Sequence, residues 1–165
     1  GTSWIHTDCR GLPLDESQES SVDKIIQIDS VTAILPVRSY LANGNSVTYF
    51  CSTTDAAESW QYVGMLENVE FFDFGSRLTG VAFGQGRMWQ TEDGGLTWAE
   101  TTSGLPPAVT PVSLDMVNDL VGFLTVTTTP DTLTENRIYM TQNNGNDWNS
   151  IPGVIVNAAD ANPTP

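Results

Sequence analysis

An eight-residue pattern recurs three times in this chain, and a recurring short unit constrains the fold more than composition does. Thr91-Glu92-Asp93-Gly94-Gly95-Leu96-Thr97-Trp98 has the form [ST]-x-D-x-G-x-[ST]-W, and Thr141 to Trp148 repeats it with Asn143 for Asp and Asp147 for Thr. Thr53 to Trp60 keeps the frame through Thr53, Asp55, Ser59 and Trp60, with Ala57 in the glycine slot. Gly1-Thr2-Ser3-Trp4 matches the closing half of a fourth copy. The chemistry of the motif is that of a tight hairpin. Asp or Asn accepts hydrogen bonds from nearby amides, Gly supplies positive φ, the Ser/Thr hydroxyl ties the loop down, and Trp plugs the sheet. A unit of three or four short strands cannot cover both its faces, so neighbouring units must stack.

The flanks repeat as well. Val69 to Thr91 reads as a strand ending in Asp73-Phe74, a turn, a strand over Gly80 to Phe83, a Gly84-Gln85-Gly86 hairpin signal and a strand into the motif. In Val112 to Thr141, Leu114-Asp115-Met116 parallels Phe72-Asp73-Phe74, Val121-Gly122-Phe123 parallels Thr79-Gly80-Val81, and Arg137 to Met140 parallels Arg87 to Gln90. Ile26 to Cys51 gives a weaker copy, with Ile28-Asp29 in the first slot and Asn43-Gly44 as its turn, and Val154 to Val156 reads as a trailing strand. Val, Thr, Ile, Phe and Tyr are abundant, 14 Gly and 9 Pro punctuate them, and no dozen residues hold a 3.6-residue apolar period. The fold class is therefore all-β, and Asp23 to Asp29, the best helix candidate, is read as a strand. The expected organisation is a partial unit with an acidic loop over residues 1–21, repeats over about 22–63, 64–104 and 105–157, and a flexible tail over 158–165.

These residues resemble the Asp-box, or BNR, repeat of β-propellers. The combination of a D-F element, a glycine-bearing strand and T-x-D-G-G-x-T-W is most like the photosystem II stability and assembly factor type of propeller. The resemblance spans about residues 22 to 157. It implies propeller blades, and since closed rings of these families have six or more, three motif-bearing blades with a half-motif imply an incomplete propeller. It further implies an exported protein, and that any chemistry in related glycosidases lies away from the Asp-box face.

Charge and residue counts exclude several function classes. Six Lys plus Arg against twenty Asp plus Glu give a formal charge of −14, which argues against nucleic acid as a partner. Apolar runs such as Val31 to Val37 fall far short of the roughly 20 residues a membrane helix needs, so direct membrane insertion is not expected. One histidine, His6, and two cysteines cannot build a Ser-His-Asp triad or a zinc site, and no cofactor or metal is expected. Cys9 and Cys51 fit an intramolecular disulfide, as an exported protein would carry, and fit two buried free thiols equally well.

Each remaining cluster has a bland account and a sharper one. Asp55, Asp93 and Asn143 sit among glycines as calcium ligands or catalytic acids would, yet their slot is the one that closes the hairpin. Arg87 and Arg137 occupy equivalent repeat positions, so they are no sialidase-like carboxylate clamp. Phe71, Phe72, Phe74, Phe83, Trp89 and Tyr139 alternate as core residues do. Asp15 to Ser21 reads as an acidic insertion. Thr127 to Asn136 reads as an exposed insertion whose Pro130, Asp131, Thr132, Leu133, Thr134 and Glu135 form the best candidate contact loop. The expected function is a non-enzymatic, exported module, extracellular or in the cell envelope, that serves as a protein-binding or structural scaffold. Its partner is another protein or the remaining blades of the same propeller, in a homo- or hetero-oligomer. The alternatives are a carbohydrate-active fragment, glycosidase or glycan-binding, and a virion or filament subunit.

Overall fold

In the computed structural model the described residues are 8–14, 19–107, 109–128 and 135–157, and no helix occurs among them. The strands fall into three antiparallel meanders. The first contains β2 (Ser20–Val22), β3 (Ile26–Gln27), β4 (Ala33–Tyr40), β5 (Ser46–Thr53) and β6 (Trp60–Glu67), with β1 (Cys9–Arg10) added in parallel outside β6. The second runs β7 (Phe71–Phe74), β8 (Gly80–Gly84), β9 (Arg87–Thr91) and β10 (Ala99–Thr101). The third runs β11 (Val109–Met116), β12 (Gly122–Thr128), β13 (Glu135–Thr141) and β14 (Asn149–Asn157). Consecutive meanders stacked face to face, inner strands toward one cleft, are blades of a β-propeller, and the described residues form three.

Burial follows from the stacking. β8, Gly-Val-Ala-Phe-Gly, is buried at every position because sheets lie on both its faces. Ile34, Phe50 and Phe74 join the first sheet to the second. Val81, Phe83, Met88, Met116, Leu124, Val126, Tyr139 and Trp148 join the second to the third. Glycine is required where backbones meet: a Cβ on Gly64 of β6 would stand 2.1 Å from the Gly95 carbonyl oxygen of the next sheet.

Several expectations are corrected. Asp23 to Asp29 is not one strand: the inner strand breaks between β2 and β3, facing Leu35 and Pro36, where proline has no N–H to give the ladder. Asp29 does not occupy the slot of Asp73. The register pairs Ile26 with Ile34 as Asp73 pairs with Val81, and Asp29 instead caps the following turn, as Ser76 and Asn118 do. Ser20 and Ser21 belong to β2 rather than to an acidic loop, and Val154 to Val156 lie within β14 rather than in an additional strand. Thr127, Thr128, Glu135 and Asn136 are paired strand residues. The half-motif Gly1 to Trp4, residues 15–18, the loop residues Pro130, Asp131, Thr132, Leu133 and Thr134, and the tail 158–165 lie outside the described residues.

Candidate functional site

The three repeated hairpins close by one scheme. Thr91 Oγ1 donates to Asp93 Oδ1 at 2.8 Å and accepts the Gly95 N–H at 2.9 Å, while Asp93 Oδ1 and Oδ2 accept the Thr97 N–H and hydroxyl at 2.9 and 2.5 Å. Thr53, Asp55, Ala57 and Ser59 reproduce this at 2.7, 3.1, 3.0 and 2.6 Å. In the third hairpin the last bond is reversed: Asn143 Nδ2 donates to Asp147 Oδ2 at 2.8 Å. Thr141 Oγ1 still donates to Asn143 Oδ1 and accepts the Gly145 N–H. Hydrogen bonds from the Ser59 hydroxyl and N–H, with one from Thr53, lower the Asp55 carboxyl to about 2, and the Thr97 hydroxyl leads the same effect at Asp93. Both carboxylate oxygens are thus committed to the turn.

The second and third hairpins also touch the sheet before them. The Trp98 ring lies 5.4 Å from that of Phe50 in the first sheet and 5.7 Å from that of Phe74 in its own, and the Trp148 ring lies 6.0 Å from that of Phe83 in the second sheet. Gln90 Nε2 donates to the Asn144 carbonyl. The N–H groups of Ala56, Gly94 and Asn144 all donate to the preceding turn, at the carbonyls of Val31, Leu78 and Leu120. That turn, Asp29-Ser-Val-Thr-Ala33, Ser76-Arg-Leu-Thr-Gly80 and Asn118-Asp-Leu-Val-Gly122, is a second repeated sequence signal, outside the eight-residue motif.

The inner strands line a cleft of about 660 Å³ with Asp23, Lys24, Arg38, Glu70, Asp73 and Asp115 among its walls. Arg38 pairs with Asp23 at 3.1 Å and donates to the Val69 carbonyl at 3.0 Å, bridging the first two sheets. Asp73 accepts the Phe74 N–H at 2.9 Å and, across to the third sheet, the Met116 N–H at 2.6 Å. Burial pushes its carboxyl up, and those two N–H groups, with Lys24, oppose the rise while Asp115 adds to it. Among the described residues no three His, Cys, Asp or Glu side chains are grouped to hold a metal ion. Arg87 and Arg137, by contrast, pair with Glu100 and Glu135, the first pair exposed and the second half-buried.

The two ends of the stack differ. On the face of the first sheet that would meet a preceding blade, Cys9 and Cys51 are joined in a disulfide with Cα atoms 6.2 Å apart, and Leu12 and Leu14 pack over Val37, Val47 and Tyr49. Gly11-Leu12-Pro13 resembles Gly104-Leu105-Pro106, whose leucine packs between the second and third sheets, and both glycines have positive φ. On the far face of the third sheet, Phe123, Ile138 and Met140 take the positions of Val81, Met88 and Gln90 of the second. They are half-buried, and no sheet covers them among the described residues. Asp115 stands there in the register position of Asp73.

No family model and no curated protein matches the chain. A solved structure described as YCF48 bound to D1 peptide is similar at 17% identity and a TM-score of 0.48, covering 84% of this chain and 45% of that one. The chain therefore spans less than half the length of that protein.

Proposed function

We propose that this chain is a non-enzymatic β-propeller module of the Asp-box type that serves as a protein-binding or structural scaffold, with its three repeated hairpins as structural closures. The observation that carries the reading is the far face of the third sheet. The equivalent faces of the first two sheets are each occupied by another sheet, and this one offers Phe123, Ile138 and Met140 in the same register. Bare sheet faces recruit polypeptide or aggregate. The partner is another protein or further blades of one propeller. The disulfide favours an extracellular or cell-envelope setting, because such bonds persist in oxidising compartments.

Sedimentation velocity of the 165-residue chain at micromolar concentration tests this against the carbohydrate reading. Association that rises with concentration, and disappears in Phe123→Glu/Met140→Glu without loss of melting temperature, is the expected result. A monomer at every concentration that binds or cleaves members of a glycan panel would overturn it.

A further inference from the structure

The best-defined unassigned feature lies at the opposite end of the stack, under Trp60. In the second sheet, Phe72, Gly95 and Trp98 form a seat for one side chain from the sheet before: the Phe50 ring lies 5.3 Å from that of Phe72 and 5.4 Å from that of Trp98. In the third sheet the same positions are Leu114, Gly145 and Trp148, and they receive Phe83 and Val81. The register, continued one residue beyond the Ile26–Ile34 pair, carries these positions onto Ile25, Ala57 and Trp60 of the first sheet, anchored by the shared Ala56, Gly94 and Asn144 turn bonds. There they line a cavity of about 210 Å³, whose other walls include Val31 and Ala33 and, on its polar side, Gln27, Asp29 and Thr53. Trp60 is 6% exposed, whereas Ile25 and Val31 at the rim are 50% and 45% exposed. Leu12 and Leu14 cover another part of this face, over Val37, Val47 and Tyr49.

We infer that this cavity is a socket for an aromatic side chain carried by an incoming polypeptide, a site distinct from the far face but resting on the same scaffold reading. The two equivalent seats set the ligand class, since each takes a phenylalanine against its tryptophan, Phe50 in one and Phe83, beside Val81, in the other. The size agrees, because an apolar cavity of roughly 150 Å³ accommodates benzene. Ala57 does not close the socket. A Cβ at the equivalent Gly95 would lie 3.7 Å from the Phe50 ring, an ordinary contact, and 3.3 Å from Phe74. The register replaces Phe74 by the exposed Gln27 in the first sheet, which removes that crowding.

The test uses the oxidised 165-residue chain and the indole N–H resonances of its tryptophans, with Trp60→Phe assigning the relevant signal. N-acetyl-phenylalaninamide should move the Trp60 signal saturably and leave Trp98 and Trp148 in place, and N-acetyl-alaninamide should not. Ile25→Asp and Val31→Asp, both at exposed positions, should weaken the effect at least tenfold with the melting temperature unchanged. No shift at Trp60, an equal shift with the alanine amide, or full binding by both aspartate variants would overturn the socket. If the socket fails while Phe123→Glu/Met140→Glu still abolishes association, only this inference falls and the scaffold reading stands.

Discussion

Asn143→Asp probes the hairpin scheme at its one reversed bond. In the first two hairpins an acid at this position receives a hydroxyl from Ser59 or Thr97, and in the third an amide at the same position donates to the Asp147 carboxylate at 2.8 Å. The substitution removes that donor and sets two carboxylates against each other. A hydrogen bond to a charged group contributes about 1.5–3 kcal/mol. Two like charges at that separation repel by about 1.5 kcal/mol in a water-like dielectric. The pair is at the surface and can rotate apart, so a net loss of about 2–3 kcal/mol is expected. For a chain of this size that lowers the melting temperature by roughly 5–10 °C. Adding Asp147→Thr rebuilds the second hairpin's chemistry, so Asn143→Asp/Asp147→Thr should recover most of the loss. Urea and thermal unfolding of the single and double variants close the cycle. A single variant within about 0.5 kcal/mol of the parent, or a double variant no better than the single, would refute the scheme.

Trp98→Ala should cost about 3–5 kcal/mol by emptying the wedge between Phe50 and Phe74, whereas Trp98→Phe should cost far less because the buried indole N–H has no hydrogen-bond partner; Glu92→Ala should be near neutral. Reducing the Cys9–Cys51 bond, whose ends are 42 positions apart, should lower stability by about 4 kcal/mol, and intact mass before and after reductant reads the bond directly. Acid should weaken the hairpins in a definite window. The folded Asp55 carboxyl is lowered to about 2 from 3.8, so its stabilisation is complete above the unfolded value and is lost as pH falls through the folded one. Asp55→Asn should flatten the urea midpoint across that window, and an unchanged slope would contradict the assignment.

What could be read from the residues depended on how locally each interaction is encoded. The hairpins announce themselves because Thr91, Asp93, Gly95 and Thr97 meet within seven positions and all act through side-chain type or φ. The all-β class followed from alternation for the same reason. In the first repeat Ile28-Asp29 imitates Phe72-Asp73 three residues away from the true slot, and only the ladder opposite Ile34 distinguishes a strand slot from a turn cap. The link from Asp73 to Met116 was not legible, since its donor is a backbone N–H that nearly any residue supplies. The two end faces were hidden for another reason: Phe123, Ile138 and Met140 alternate as core residues do, and only the absence of a covering sheet among the described residues marks them.

The most direct measurement is site-specific photocrosslinking from position 138, at the centre of that far face, with the chain in its native host and the product mapped by mass spectrometry. The account predicts a discrete polypeptide adduct, with the crosslinked peptide coming from a β-sheet segment, and its disappearance when Phe123→Glu/Met140→Glu is added. Crosslinking only to solvent or glycan, or an adduct indifferent to those substitutions, would contradict it.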